Sequence, residues 1–125
     1  MSLYDWLNER IALPFSTDFK AMGRVVDGQL VGVVGFTGYN EASIQMHMAG
    51  AGPHWMTRHF IREAFRYPFV TCRCSVVLAS VPSGNTEALK IDRKLGFKEI
   101  AIIEGAHPDG ALHLLALRRE DCKWV

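Results

Sequence analysis

The sequence predicts an α+β fold with helices packed on one mixed β-sheet, and three observations carry that prediction. Asp27-Gly28 separates two runs rich in β-branched residues, the pattern of a tight antiparallel hairpin. Ser43–Met48 alternates apolar and polar residues, and a helical period over Trp55–Tyr67 divides it from the apolar run Thr71–Val81. Strand, helix and strand in that order need a crossover, which makes those two strands parallel neighbours at the middle of the sheet. The predicted order is β-β-β-α-β-α-β-β, in one domain over residues 1–125.

The elements follow in turn. Leu3, Trp6, Leu7 and Ile11 recur about one helical turn apart, so a short amphipathic helix is expected over 3–11, ended by Pro14. Gly23–Val26 and Gln29–Phe36 are the hairpin strands. A turn at Gly38–Glu41 leads to the third strand, where Ile44, Met46 and Met48 face one way and Ser43, Gln45 and His47 the other. In the following helix Met56, Phe60 and Ala64 lie four apart beside Ile61 and Phe65, and Tyr67-Pro68 closes it. Pro82–Asn85 is a loop that ends in a helix cap, Thr86–Leu95 a helix with Ala88, Ile91 and Leu95 on one face, and Gly96 its C-terminal stop. Phe97–Glu104 and Ala111–Arg118 are strands around a loop at Gly105–Gly110.

Composition excludes several function classes. Apolar residues make up 49% and the formal net charge is +1, an ordinary globular balance without the basic excess of a nucleic-acid binder. No apolar stretch is long enough to span a bilayer, and the polar start lacks a signal peptide's regions, so no membrane partner and a cytoplasmic location are expected. Cys72, Cys74 and Cys122 form no C-x-x-C pair; on a strand Cys72 and Cys74 would share a face. Buried reduced thiols are expected, and no metal.

Two motifs point to chemistry. Asn85–Phe97, N-T-E-A-L-K-I-D-R-K-L-G-F, closely resembles the second signature of the GNAT superfamily of N-acetyltransferases, an Asn followed by a short helix ending in K-L-G-F. Upstream, His47-Met48-Ala49-Gly50-Ala51-Gly52 is similar to the superfamily's acetyl-CoA signature, with His47 where a Gln or Arg usually stands and Gly50 and Gly52 matching. The resemblance covers roughly residues 23–118, and W-M-T-R, R-Y-P-F and R-R-E-D-C-K-W look most like small phage or prophage members. It implies a sheet whose two parallel strands splay apart, acetyl-CoA as cosubstrate, an amine acceptor (a small molecule or a protein amine), and direct attack of that amine on the thioester.

The coenzyme diphosphate would then sit where the third strand meets the helix, because a helix N-terminus offers unpaired N–H groups and a positive dipole end. Pro53 reads as a first-turn proline. Two registers are open: Gly50, Ala51 and Gly52 hold the diphosphate, or the glycines are only the approach and His54, Trp55, Met56, Thr57 and Arg58 supply N–H groups and one charge. The pantetheine arm would pair with Met46, His47 and Met48, and Asn85 would both cap its helix and touch the coenzyme.

An aliphatic amine is mostly protonated at pH 7, so a base is useful. His47 is the first candidate and Glu41 and Glu104 are further ones; the plainer reading of His47 is a half-buried strand histidine. Two departures from the family stand out. Many members carry a Tyr seven residues after the motif's Asn as general acid; here that position is Asp92, read as a solvated helix residue, so that water, Ser83 or another hydroxyl protonates the thiolate, or it leaves unassisted. The N-terminal region is also short. That leaves the acceptor side open, lined by Tyr4, Trp6, Phe15 and the loop with His107 and Asp109, or completed by a second subunit in a homodimer. The alternative function is a non-catalytic coenzyme-binding or interaction module.

Overall fold

The structure, a computed structural model, describes residues 2–14 and 16–125. Ser2 opens helix α1 (Leu3–Asn8) by accepting the Asp5 N–H at 3.0 Å. The helix stops well before Pro14. Arg10 donates to the Trp6 carbonyl at 2.8 Å and Asn8 Oδ1 accepts the Leu13 N–H at 3.2 Å, so side chains take over the helix end and turn the chain earlier than the apolar spacing implied.

Strands β1 (Lys20–Val26) and β2 (Gln29–Thr37) pair antiparallel through Asp27-Gly28, whose φ values of 51° and 77° are those a type I′ turn requires. β3 (Ser43–Gly50) adds antiparallel to β2. Asn40 Oδ1 shapes the turn between them by accepting the Ala42 and Ser43 N–H groups at 2.9 and 2.7 Å. Helix α2 (Arg58–Arg66) crosses over to β4 (Val76–Pro82), which lies parallel to β3 as predicted. Helix α3 (Thr86–Leu95), capped by Asn85 and stopped by Gly96 at φ 113°, leads into the hairpin β5 (Lys98–His107) and β6 (Gly110–Arg118). The sheet order is β1-β2-β3-β4-β6-β5.

Other boundaries differ from the sequence reading as well. Tyr67-Pro68 ends the α-helical pattern but not the coil: Tyr67–Thr71 form a π-helical turn, with the Cys72 N–H on the Tyr67 carbonyl at 2.9 Å. The strand expected from Thr71 begins only at Val76, because Arg73 takes a left-handed φ of 57° that no strand accommodates. Cys72 and Cys74 therefore precede the strand, and alternation does not orient them; Cys74 is buried and both are free thiols. The last loop narrows to Pro108-Asp109, since Gly105, at φ 76°, absorbs the irregularity inside β5 and His107 pairs with Gly110.

The larger core lies between the sheet and α2, α3 and the π turn, around Phe36, Ile44, Phe65, Phe69, Val77 and Leu115. The smaller one lies on the opposite face, where α1 sets Trp6 and Leu7 on Val33.

Candidate active site

β3 and β4 pair only at Ser43–Val76, Ile44–Val77 and Gln45–Leu78. Beyond that point each follows its antiparallel neighbour, β3 to Gly50 against Gly32 and β4 to Pro82 against Leu112, and the two part company. The amides and carbonyls that β3 turns toward β4 past Gln45 are left without a strand partner, an open edge for an extended ligand.

A cleft of about 860 Å³ occupies the gap. Alternation along β3 sends Met46 and Met48 into the core under α2 and α3 and turns Gln45 and His47 toward the α1 face. Met46, Met48, Asn85, Ala88 and Asp92 line the cleft on the first side; Arg10–Pro14, Gln45, His47, His107 and Asp109 line it on the second. The cleft is thus lined from both faces of the sheet.

On the α1 side, His47 Nε2 lies 2.8 Å from the hydroxyl of Thr37, a buried residue. Burial lowers the His47 pKa from its usual 6.5, so the ring is neutral at pH 7. When Thr37 accepts the Nε2 proton, Nδ1 carries the lone pair. Glu41, in the exposed turn before β3 at φ 73°, and Glu104, exposed on the edge strand β5, lie outside the cleft and are not brought to His47.

On the other side, Asp92 corrects the reading of a solvated helix residue. It is 4% exposed. The inward stripe of α3 is Leu89, Asp92 and Leu95, rotated from the expected Ala88, Ile91 and Leu95. Burial raises its pKa to about 7, and no neighbouring charge or hydrogen bond opposes that shift. Ser83 does not line the cleft: its hydroxyl lies 3.0 Å from His113 Nε2, and His113 Nδ1 lies 2.6 Å from Glu99 Oε1, which also accepts from Arg93 at 3.1 Å. This chain of bonds ties the loop before α3 to β6 and β5. It steadies Asn85, whose Oδ1 caps α3 at the Ala88 N–H, 3.1 Å away.

The glycine junction is built differently from the expectation. Trp55, 6% exposed, lies over Gly32 and Gly50, and a Cβ on Gly50 would come within 2.0 Å of the indole. Gly50 admits the tryptophan, and Gly52 supplies a φ of 82°. The Ala51 N–H is taken by the Val31 carbonyl at 2.8 Å. Pro53 is not a first-turn residue, because α2 starts at Arg58 with Thr57 as its cap, Oγ1 accepting from the Phe60 N–H at 3.2 Å. Of the residues proposed for the coenzyme, Trp55 and Met56 put their side chains against the core, and the His54 carbonyl accepts from Arg24 at 3.2 Å. The N–H groups of Arg58 and His59, in the first turn of α2, have no helical partner and sit beside exposed basic side chains.

Tyr4 packs edge-on against Phe19 and Trp6 is buried under the Arg10 guanidinium, so neither reaches the cleft; Phe15 lies outside the described residues. Arg10–Pro14, the end of the expected helix and the residues up to the proline, takes their place. Among the described residues no three metal-ligating side chains come together, and no helix is long and apolar enough to cross a membrane.

Neither a family model nor a curated protein matches the sequence, but solved structures do. The N-acetyltransferase PseH of Campylobacter jejuni, in complex with acetyl coenzyme A, superposes with a TM-score of 0.63 at 19% identity, over 83% of this chain and 70% of that one. A GNAT-family acetyltransferase of Bacillus anthracis gives 0.67 at 16% identity, over 81% and 67%. The chain has the GNAT acetyltransferase fold. A variant of spermidine N-acetyltransferase SpeG from Vibrio cholerae gives 0.70 at 18% identity, over 98% of this chain and 76% of that one. At such identities the likeness is one of fold, and within the GNAT fold the parting of β3 and β4 is the feature that makes the cleft.

Proposed function

We propose that this chain is an acetyl-CoA-dependent N-acetyltransferase that passes acetyl directly from the thioester to an amine. The observation that carries the reading is the cleft where β3 and β4 part, lined from both faces of the sheet, a geometry that suits an acyl donor and an acceptor approaching from opposite sides.

The diphosphate rests on the Arg58 and His59 N–H groups, with the Arg58 guanidinium beside it. The pantetheine arm runs along the open edge of Met46, His47 and Met48, where its amides take the strand partners that β4 does not supply. Asn85, its Oδ1 committed to the cap, offers its amide N–H groups. The amine enters from the α1 side past Arg10, His107 and Asp109. Neutral His47, oriented by Thr37, accepts the proton that the nitrogen sheds as it bonds to the acyl carbon, directly or through a water. Holding amine and thioester at that crossing turns an encounter of two solutes into a reaction within one complex.

Thiol release from acetyl-CoA, with a panel holding spermidine, small primary amines and peptides bearing a free N-terminus or lysine, tests the reading. Release that depends on one of these amines is expected. A second reading is favoured by the family's missing tyrosine at Asp92 and by the short acceptor wall, to which the N-terminal region adds Arg10–Pro14: a coenzyme-binding module without turnover. Tight acetyl-CoA binding with no release would establish that module. Stabilisation by ATP or NAD in place of acetyl-CoA would remove both readings.

A further inference from the structure

We infer that Asp92 is the acid of this site, handing its carboxyl proton to the coenzyme sulfur as the carbon–sulfur bond breaks. The inference rests on acetyl transfer as proposed above. Its burial, its place on the cleft and its apolar surroundings carry it.

Asp92 is buried, yet among the described residues none hydrogen-bonds its carboxyl, which lines the cleft on the face opposite His47. An acid held this way is costly unless it is neutral, and an apolar residue would pack there at less expense. Asn85 apart, the residues that line the cleft with it on that side are apolar: Ala88 on α3, Phe97 after it, Ala79 and Val81 on β4, Met46 and Met48 on β3. The charged or titratable groups facing the cleft from other elements are Arg10 after α1, His47 on β3, and His107 and Asp109 at the β5–β6 turn. β4 and β6 contribute none, and the charged side chains of α2 do not line it. None of these groups moves the titration of Asp92, which burial alone displaces upward.

His47 is displaced the opposite way. Burial favours the uncharged form of each, so near neutral pH the cleft holds a free base on one face and, on the other, an acid that keeps part of its proton. The step balances: the nitrogen–carbon bond forms and the carbon–sulfur bond breaks, the nitrogen's proton goes to His47, the Asp92 proton goes to sulfur, and solvent restores both groups once free coenzyme and amide leave. A thiol has an ordinary pKa near 8.5, so the departing thiolate is more basic than Asp92 and the transfer runs downhill.

Asp92→Asn keeps the shape and removes the acid. With acetyl-CoA and the amine that releases most thiol, it should lower kcat about 100-fold at pH 7 and leave the acetyl-CoA KM within about threefold. The wild-type rate should fall as pH rises through about 7, and Asp92→Asn should lose that limb. Asp92→Ala repeats the test should Asp92→Asn fail to fold. A readout free of the acceptor is the carboxyl carbon NMR of the aspartates, in which one signal should titrate near 7 and vanish in Asp92→Asn. Wild-type turnover with an unimpaired Asp92→Asn, or no aspartate titrating above pH 6, overturns the role of Asp92 and leaves acetyl transfer standing. No thiol release from wild type with any amine overturns acetyl transfer, and the role of Asp92 falls with it.

Discussion

Asp92 and His47 give the folded protein opposite dependences on pH. The Asp92 pKa is raised, so below 3.8 its proton is held in both states and nothing is lost. As pH climbs from there to about 7 the unfolded chain ionises first, and stability declines by up to about 4 kcal/mol, reaching a floor above 7. His47 is lowered, so its contribution is complete above 6.5 and wanes as the unfolded chain takes up a proton below that value. Thermal unfolding followed from pH 5 to 8 should show a falling midpoint in wild type, and Asp92→Asn should abolish most of the fall. In turnover, an acidic limb below pH 6.5 should disappear in His47→Gln. Gly50 permits a simpler check. Gly50→Ala should cost about 1–3 kcal/mol by driving a methyl into Trp55, whereas Gly84→Ala, with nothing within 4 Å, should be nearly neutral by chemical denaturation.

Among the elements, helix caps bear most directly on the site. Thr57→Ala should cost about 1 kcal/mol of stability and weaken acetyl-CoA binding, both read by calorimetry, since the bond to the Phe60 N–H holds the first turn of α2 in shape. Elements with strong local chemistry were legible in the chain: the Asp27-Gly28 hairpin, the Asn85 cap and Gly96 stop of α3, and the alternating face of β3. Those decided by distant contacts were not. Nothing local announces that Arg73 turns left-handed, or that Asn8 and Arg10 end α1 early. The two glycines before α2 suggested an anion seat, but a tryptophan five residues on had claimed the space above Gly50. The inward turn of Asp92 was visible only as a spacing of three from Leu89 and four from Ala88, a signal its charge concealed.

At the scale of the whole molecule, the site is a consequence of strand pairing. Because β4 continues with β6 and β3 with β2, the one parallel contact runs out after three residue pairs and the sheet opens at its centre. His47, Met46, Met48 and Asn85, read from the sequence as coenzyme contacts, line the opening; the acceptor wall was not legible, since Arg10–Pro14 meets β3 only through tertiary packing. The most direct test is a crystal structure of the protein with acetyl-CoA. The thioester should lie between Gln45–Met48 of β3 and Ala79–Pro82 of β4, with the diphosphate on the first turn of α2 and the sulfur on the Asp92 side. Coenzyme bound anywhere else, with the inner edges of β3 and β4 left to solvent, would contradict the account.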